Sequence, residues 1–391
     1  MVDDLLPLTI LGVHLKSEGY PNVTYRIKAL HSCTSMRIRE INYSFRTDLD
    51  TGESSGCGFR VLAAPVAALR FIYAHLNVFV RYFGVDRGRM VYLPYPAVLL
   101  LLMFSLLPRA LRPKVIAVDA FISVYDTVVS DRNLAREGGV VARLIWWLEN
   151  RAYSVTDVVF VDTIFNAQYF KKTFSSLYDK DVVALPLSID ESFYSHTEYQ
   201  ANQSTCHVIF FGTFVPLQGV EIISKAAILL VDRPDIRLSL VGNGQVAGAV
   251  TEILSRYDCK NIEWITSWQS KEQIKALIDS ADICLGIFGS GKKAQRVWPL
   301  KNYHYMAVGR PLITGDTDCA RYLAGIANGA KPFLMVPCGD PSALAEAIKA
   351  LADSPESRVA LAEASRQFYV SNLSAEAAAR QLSAILQGMA R

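Results

Sequence analysis

Four basic residues occur within ten positions in the second half of the chain: Lys292, Lys293, Arg296 and Lys301. They follow an apolar, strand-like run and the glycine-rich stretch at residues 286–291. Bases on a loop at the carboxyl end of a strand are suited to binding a diphosphate. A solvated basic loop is the alternative, but Trp298 and Pro299 interrupt the charges with rigid apolar groups. The pattern therefore favours a structured anion site.

Two glycine turns also follow strand-like runs. Gly212 comes directly after residues 207–211, and Gly242 comes directly after residues 237–241. The first turn ends at Gly219, where a helix is predicted to begin, and the free N–H groups of a helix N-terminus can hold phosphate. Each turn alone is a weak signal, because tight strand-to-helix turns need glycine for steric reasons.

Composition narrows the class of protein. The chain has 391 residues, of which 51% are apolar and 20% are charged, so a collagenous or disordered chain is excluded. The net charge of +3 gives no case for nucleic-acid binding. Between residues 60 and 114, however, eight bases face a single acid, Asp86. A basic segment that also carries long apolar runs predicts attraction to the cytoplasmic face of a membrane.

Cysteine use and apolar runs suggest the compartment. Seven scattered cysteines, never spaced C-x-x-C, argue against a disulfide framework or a zinc site and indicate a reducing cytoplasm. The start of the chain lacks the basic region of a signal peptide and predicts a buried strand. The apolar run at residues 97–107 is too short to span a bilayer, which takes about 20 residues. A core helix is predicted there, with a helix lying partly in the membrane interface as the alternative.

Strand-like runs alternate with helical patterns along both halves, which predicts parallel α/β construction. In the first half, strands are expected at residues 8–15, 90–93, 115–119, 158–162 and 182–185. In the second half, they are expected at residues 207–211, 237–241, 262–264, 283–287, 311–314 and 333–336. The main helices expected in the first half are at residues 66–83 and 140–153. Ligands of such open sheets bind at the carboxyl ends of the strands.

These segments resemble the family 4 (group 1) retaining glycosyltransferases of the GT-B fold, in which two Rossmann-like, doubly wound parallel-sheet domains face a central cleft. In the second half, the pieces follow in family order: FFGTFVPLQGVEIISKAAILL, RLSLVGNGQ, NIEWITSW and ADICLGIFGSGKKAQRVWPLKNYHYMAVGRPLITGD. In the first half, the similar segments are GYPNVTYRIKAL, VIAVDAFISVYDTVVSDR and WWLENRAYSVTDVVFVDTIFNAQYF. The resemblance covers most of the chain.

The resemblance implies a hexosyltransferase that uses a UDP-sugar or GDP-sugar and no metal or other cofactor. Residues 1–190 would bind a lipid-linked or polysaccharide acceptor at the cytoplasmic membrane face, and residues 206–372 would bind the nucleotide sugar. Residues 191–205 would be a linker, and residues 373–391 a helix crossing back to the first domain. Assembly with other glycan-synthesis proteins is a further expectation. A catalytically silent partner subunit and an NDP-sugar epimerase remain as alternatives.

The chain departs from the common family pattern where the diphosphate would lie. Thr213 and Gln218 stand where many members have Arg and Lys, while Arg296 and His304 replace a Glu pair that contacts the sugar and the ribose. Either catalysis has been lost, or the positive charge has moved to the later loop. The second explanation is favoured, because an idle pocket would have no reason to gain cations. The bases that would then supply the charge are Lys293, Arg296 and Lys301.

The resemblance also assigns roles to the remaining candidates. Asp119 ends a strand where many members have a His facing the reacting sugar, so it is expected to contact the acceptor hydroxyl or the donor sugar. Asp162 ends the next clear strand, where capping of a helix explains it as well as a site role does. The predicted catalytic residues are Asp119, Arg296 and Lys301. The predicted donor-binding residues are Gly19, Gly212, Thr213, Gln218, Gly242, Trp264, Trp268, Lys293 and His304.

Overall fold

The computed structural model describes residues 6–13, 21–31, 36–43, 57–84, 90–120, 122–131, 134–257 and 260–390, with the side chains of residues 6, 21, 29, 57–67, 131 and 390 left aside. The chain divides into two compact units. The first contains residues 1–188 together with 375–391, and the second contains residues 189–374.

The first unit is built on a six-stranded sheet in the order β2-β1-β3-β4-β5-β6. Its strands are β1 (Leu6–Gly12), β2 (Met36–Asn42), β3 (Met90–Leu93), β4 (Val115–Asp119), β5 (Val158–Val161) and β6 (Asp181–Ala184). Every pairing between neighbouring strands is parallel. Strands buried on both faces explain the continuous apolar runs in the sequence, since helices cover both sides of such a sheet.

Helices cover the two faces of this sheet unequally. They are α1 (Pro21–His31), α2 (Cys57–Tyr82), α3 (Val98–Leu106), α4 (Val140–Tyr153), α5 (Ile164–Thr173) and α14 (Ala375–Ala390). Successive residues of β4 point to opposite faces, and Val118 packs in one core with α2–α5 while Ala117 packs in the other with α1 and α14. Four helices therefore form one layer, called here the α2–α5 layer, and two form the other.

The second unit repeats this architecture around a six-stranded parallel sheet in the order β12-β11-β10-β7-β8-β9. Its strands are β7 (Cys206–Phe211), β8 (Ile236–Val241), β9 (Ile262–Ile265), β10 (Ile283–Leu285), β11 (Leu312–Gly315) and β12 (Leu334–Val336). Its helices are α6 (Val220–Ile228), α7 (Ala247–Leu254), α8 (Lys271–Asp279), α9 (Lys292–Arg296), α10 (Leu300–Val308), α11 (Asp318–Gly325), α12 (Pro341–Ala352) and α13 (Pro355–Phe368). The prediction of two doubly wound parallel-sheet units is thus confirmed.

Some elements differ from the sequence-based expectation. Strand β2 was not predicted, because it is an edge strand whose residues Arg37, Arg39 and Glu40 are exposed and interrupt the apolar pattern. Helix α2 begins nine residues before the expected start at residue 66. The apolar run at residues 97–107 forms α3, which buries Leu101 and Phe104 as a core helix does. Within the described ranges, no helix combines the length and apolarity needed to cross a bilayer.

The segments at either end of the second unit pack in specific places. Residues 191–205 belong to the second unit, where the Tyr199 hydroxyl donates to Asp282 Oδ1 at 2.9 Å. Helix α14 belongs to the first unit, where Leu382 and Leu386 are fully buried beside α1. The polar residues of the expected linker are therefore hydrogen-bonded to a folded unit.

Candidate functional site

The candidate site lies in the second unit, where β7 ends at its carboxyl edge. Gly212 follows β7 with φ +148°, and a Cβ there would lie 2.8 Å from Lys301 Nζ. A short 3-10 turn, Pro216–Gln218, then leads into α6. Lys301, the second residue of α10, donates from Nζ to Gln218 Oε1 at 2.6 Å. The fold thus brings Gly212, Gln218 and Lys301 together, although the last two lie 83 positions apart in the sequence.

The Lys301 amine is unusually deeply placed for a lysine. The residue is only 6% exposed, and Nζ lies 3.6 Å from the centroid of the Phe210 ring. Burial lowers the pKa of this amine well below its usual range, because desolvation penalises the charged form. A ring face still favours a cation. A nearby anion would favour the charged form of this amine.

Two loops at this edge fit together through glycines. Gly219 has φ +66°, and a Cβ on it would lie 2.6 Å from Gly289 N. A Cβ on Gly289 would in turn lie 2.5 Å from Leu217 O. The loops are further joined by a hydrogen bond from Phe288 N to Gln218 O at 3.1 Å. Only glycine fits both positions, so the sequence pattern of the loops records their close approach.

The second glycine turn touches the first. A Cβ on Gly242 would lie 2.0 Å from Gly212 O, so the turns after β7 and β8 are in backbone contact. Trp264 donates from Nε1 to Gly242 O at 3.0 Å and stacks on Phe214 with a centroid distance of 5.7 Å. Trp264 therefore supports the turn, and its N–H is already in use. Trp268 lies apart in the following loop and is 77% exposed.

His304 lies one turn further along α10. Its imidazole is 7% exposed and stacks on the Tyr194 ring with a centroid distance of 4.0 Å. Neither ring nitrogen has a hydrogen-bond partner among the described residues. Burial lowers the pKa of this imidazole to about 3, so it is neutral at physiological pH. A neutral imidazole offers one donor and one acceptor.

The other predicted bases lie on α9. The glycine-rich stretch at residues 286–291 forms a loop, as expected, but the expectation that the bases lie on a loop was wrong for Lys292, Lys293 and Arg296, because residues 292–296 form a five-residue helix. Lys292 is exposed, while Lys293 and Arg296 are half-buried. Helix α9 packs against the Pro216–Gln218 turn and against α11. These bases therefore stand on the element next to Gln218. Thr213 is exposed on the first glycine loop.

Asp119 ends β4 in the first unit, as expected, and its Oδ2 atom takes part in a buried hydrogen-bonded cluster. Its Oδ2 accepts from Arg26 Nη1 at 2.5 Å and from the Tyr92 hydroxyl at 3.3 Å. Arg26 also donates to Pro186 O at 2.8 Å. Burial and the neighbouring carboxylate raise the pKa of Tyr92 well above its usual range, so the phenol stays protonated. The cluster joins α1 to the ends of β3, β4 and β6. A contact between Asp119 and substrate stays a prediction.

Asp162 and Gly19 have different outcomes. Thr163 is the N-cap of α5, since its side chain accepts from Asn166 N. Asp162 is therefore not the cap itself; it lies one residue before it, and its Oδ1 accepts from Asn166 Nδ2 at 2.5 Å. Gly19 lies outside the described residues.

Sequence reasoning missed three contributors to these sites. Arg26 lies 93 residues from Asp119, and no local pattern links the two. Tyr194 lies in the segment expected to be a linker, so nothing in the sequence indicated that it stacks on His304. Glu149 is a buried carboxylate of α4 that accepts from Ser123 Oγ, Val124 N and Tyr125 N at 2.8–2.9 Å. A lone acid in an apolar helix was the only available hint.

Comparison with known sequences finds a family match in the unit that holds the candidate site. Residues 205–354 match the profile of the family described as glycosyl transferases group 1. The match covers less than half of the chain and runs from the turn before β7 to the end of α12. No curated protein sequence matches the chain significantly.

Solved structures resemble the whole chain in fold. A sucrose-phosphate synthase from Thermosynechococcus elongatus superposes with a TM-score of 0.67 at 14% identity, covering 98% of this chain and 99% of that chain. HepE from Anabaena in complex with UDP gives 0.63 at 13% identity, covering 98% and 100%. The trehalose-6-phosphate structure from E. coli bound with UDP-2-fluoro glucose gives 0.63 at 12%, covering 97% and 98%.

These likenesses define the class. The chain has the GT-B fold, with two Rossmann-like units, each built on a six-stranded parallel sheet. The fold and the group 1 profile match together support a glycosyltransferase.

Proposed function

We propose that this protein is a retaining hexosyltransferase that moves a sugar from UDP or GDP to a lipid-linked or polysaccharide acceptor. The observation that carries the proposal is the position of Lys301, buried beside Gly212 and Gln218 at the carboxyl edge of the second sheet. Ligands of doubly wound sheets bind at this edge. A donor diphosphate placed there meets the Lys301 amine in a site of low polarity.

Sugar transfer requires positive charge beside the diphosphate, because negative charge develops there as the bond to the sugar breaks. We assign this role to Lys301 and Arg296, with Lys293 as a further donor-binding base. Preorganised cations in a water-poor site stabilise developing negative charge more strongly than they would in water. Gln218 accepts a hydrogen bond from Lys301 in the structure. With a donor bound, the Gln218 amide and the Lys301 amine would both turn toward the phosphate oxygens. No metal is assigned to this proposal.

The nucleoside part fits the remaining features. His304 is neutral and its nitrogens lack partners among the described residues, so we assign it to the ribose hydroxyls. The loop from Trp264 to Trp268 would contact the base, mostly through its backbone. UDP or a UDP-sugar is bound in the HepE and E. coli structures of the same fold, which favours UDP as the first donor to test.

The test is a thermal-shift screen of the purified chain against UDP, GDP and their sugar conjugates. A ligand present at 100 times its Kd should add about 2.7 kcal/mol of stability. The Lys301→Met variant should lose most of the shift, while the matched Lys225→Met variant, changed at an exposed position on α6, should keep it. A wild-type chain that responds to no nucleotide would contradict the proposal and favour a silent subunit.

The reaction itself is followed by NMR with the donor that shifts. Release of free sugar in the anomeric configuration of the donor is expected from a retaining transferase acting on water. Release with the opposite configuration would contradict retention. Conversion of the sugar into its epimer, still attached to the nucleotide, would assign the chain to the epimerases.

A further inference from the structure

The outer face of α4 has an unusual composition. Two kinds of residue hold its exposed positions, apolar and arginine: Val140, Val141, Arg143, Leu144, Trp147 and Arg151. Val140 is 83% exposed, and Leu144 and Trp147 are each 55% exposed. The spacing of Val140, Leu144, Trp147 and Arg151 places them on one side of the helix. An amphipathic helix of a soluble domain normally turns charged residues of both signs to this side.

The same composition continues across the layer. In the described part of α2, from residue 68 onward, the exposed side chains are again apolar, aromatic or arginine: Ala68, Leu69, Arg70, Ile72, Tyr73, Leu76, Val80 and Arg81. Leu106 at the end of α3 is 81% exposed. Helix α3 packs against both α2 and α4, so these faces belong to one surface.

The exposed positions described on helices α2 to α5 carry no acidic side chain. Helices α2 to α5 contain one acid, Glu149, and it is buried. The same helices contain the exposed bases Arg70, Arg81, Arg143, Arg151, Lys171 and Lys172. A contiguous apolar area rimmed by charges of one sign is rare on a surface that meets only water. Its complement is an apolar layer bordered by negative charge.

We propose that the outer face of the α2–α5 layer is a docking surface for an anionic lipid bilayer, with Leu144 and Trp147 inserted at the headgroup level. The arginines bind lipid phosphates while their methylene stems lie along the apolar groups. Tryptophan is enriched at this interface, because its apolar ring can lie among the acyl chains while its N–H meets the polar headgroups. The inference rests on the proposed function in one respect, since docking would bring the first unit to lipid-linked acceptors.

The experiment is flotation of the full chain with vesicles of phosphatidylcholine, either alone or mixed with phosphatidylglycerol. We expect binding to the anionic vesicles that weakens as salt rises. The Leu144→Ser/Trp147→Ser double variant should bind at least about tenfold more weakly, because it removes two inserted apolar side chains. Arg143→Ala should weaken binding about fivefold. Matched controls in the second unit, Tyr257→Ser and Lys225→Ala, change exposed residues and should bind as wild type does.

A second measurement locates the inserted residue. Brominated lipid should quench tryptophan fluorescence of the wild type, and Trp147→Phe should still bind but lose most of the quenching. The proposal is wrong if wild type binds both vesicles equally or neither, or if the double variant and Arg143→Ala bind as wild type does. A dimer that forms with concentration and dissociates in the same variants would overturn it in favour of self-association.

Failure of docking and failure of sugar transfer can be told apart. The UDP-induced thermal shift of the double variant should equal that of wild type, since its substitutions lie in the first unit and Lys301 lies in the second. Loss of vesicle binding with an intact UDP shift supports the docking surface. If the double variant does not fold, vesicle binding by Arg143→Ala tests the proposal by itself, because removing an exposed arginine leaves the core intact.

Discussion

At the scale of single residues, the charge at the candidate site depends on Lys301. Thr213 and Gln218, which stand where the resemblance implies Arg and Lys, are neutral. The Lys301 amine reaches Gln218 from α10. The resemblance to the family 4 glycosyltransferases leads one to expect a lysine at position 218, and Lys301 Nζ lies 2.6 Å from the Gln218 amide oxygen. This position is the one that the proposed shift of positive charge to the later loop requires.

Removing the charge should slow sugar transfer. We expect Lys301→Ala and Arg296→Ala each to lower turnover about 100-fold or more, because each removes a cation from the leaving diphosphate. Lys292→Ala, at an exposed position on the same short helix, should have little effect, and Thr213→Ala should have a modest one. Donor hydrolysis by each purified variant is measured after its melting temperature shows that it is folded. Near-normal rates in both folded variants would rule out this mechanism.

Nucleotide binding should be coupled to proton uptake at Lys301. Burial lowers the pKa of the free amine, and a bound diphosphate should raise it again, so the bound state holds more protons than the free state. Affinity for UDP should therefore fall as pH rises above the lowered pKa of the free amine. Calorimetry in buffers of different ionisation enthalpy measures the uptake directly. The same proton uptake in Lys301→Met would assign it to another group.

At the scale of elements, the site depends on two loops that fit together without side chains. We expect Gly219→Ala to destabilise the second unit by about 2–3 kcal/mol, because it places a Cβ 2.6 Å from backbone atoms at a left-handed position. Gly248→Ala on α7 is the matched control, since nothing lies within 4 Å of its Cβ position. Alanine at this helical position should stabilise the second unit by up to about 1 kcal/mol. Urea unfolding compares the two, and equal midpoints would show that the loop contact is not needed.

The start of the Asp126–Asp131 helical segment depends on a carboxylate from α4. Glu149 is 1% exposed and accepts from the backbone of Val124 and Tyr125, and its burial raises the pKa of its carboxyl. Glu149→Leu should cost about 2–4 kcal/mol, because it leaves the buried Ser123 hydroxyl and two part-buried N–H groups without their acceptor.

Glu149→Gln retains an acceptor oxygen and should cost less than Glu149→Leu. Chemical unfolding of the two variants is compared with that of Glu137→Gln, whose side chain is exposed. A Leu variant as stable as wild type would show that the backbone groups find other partners.

At the scale of the whole molecule, the chain returns to the first unit for its last helix. Leu382 on α14 is fully buried in a core with Ile10 and Ile27. Leu382→Ala should therefore destabilise the first unit by about 2–5 kcal/mol. The measurement is calorimetric unfolding with and without UDP, in which the UDP-responsive transition should keep its wild-type shift. The control is Ala384→Ser, at an exposed position of the same helix. An unchanged calorimetric profile in Leu382→Ala would contradict a core role for α14.

The sequence by itself determined the alternation of strands and helices and therefore the fold class. Helix α4 begins and ends at the predicted residues, because its sequence has a full helical pattern that follows two glycines. The glycine loops were also visible, since only glycine tolerates such contacts. These features are local, and local patterns of polarity and turn chemistry are legible in a chain read one segment at a time.

Tertiary structure alone decided which polar groups meet. The pairing of Arg26 with Asp119 and the hydrogen bond from Lys301 to Gln218 join residues 93 and 83 positions apart. The stacking of Tyr194 on His304 joins a presumed linker to a core helix. Burial, and with it the lowered pKa of Lys301, is a property of everything packed around the amine. Because such contacts arise only when distant strands align in one sheet, no periodicity along the chain encodes them.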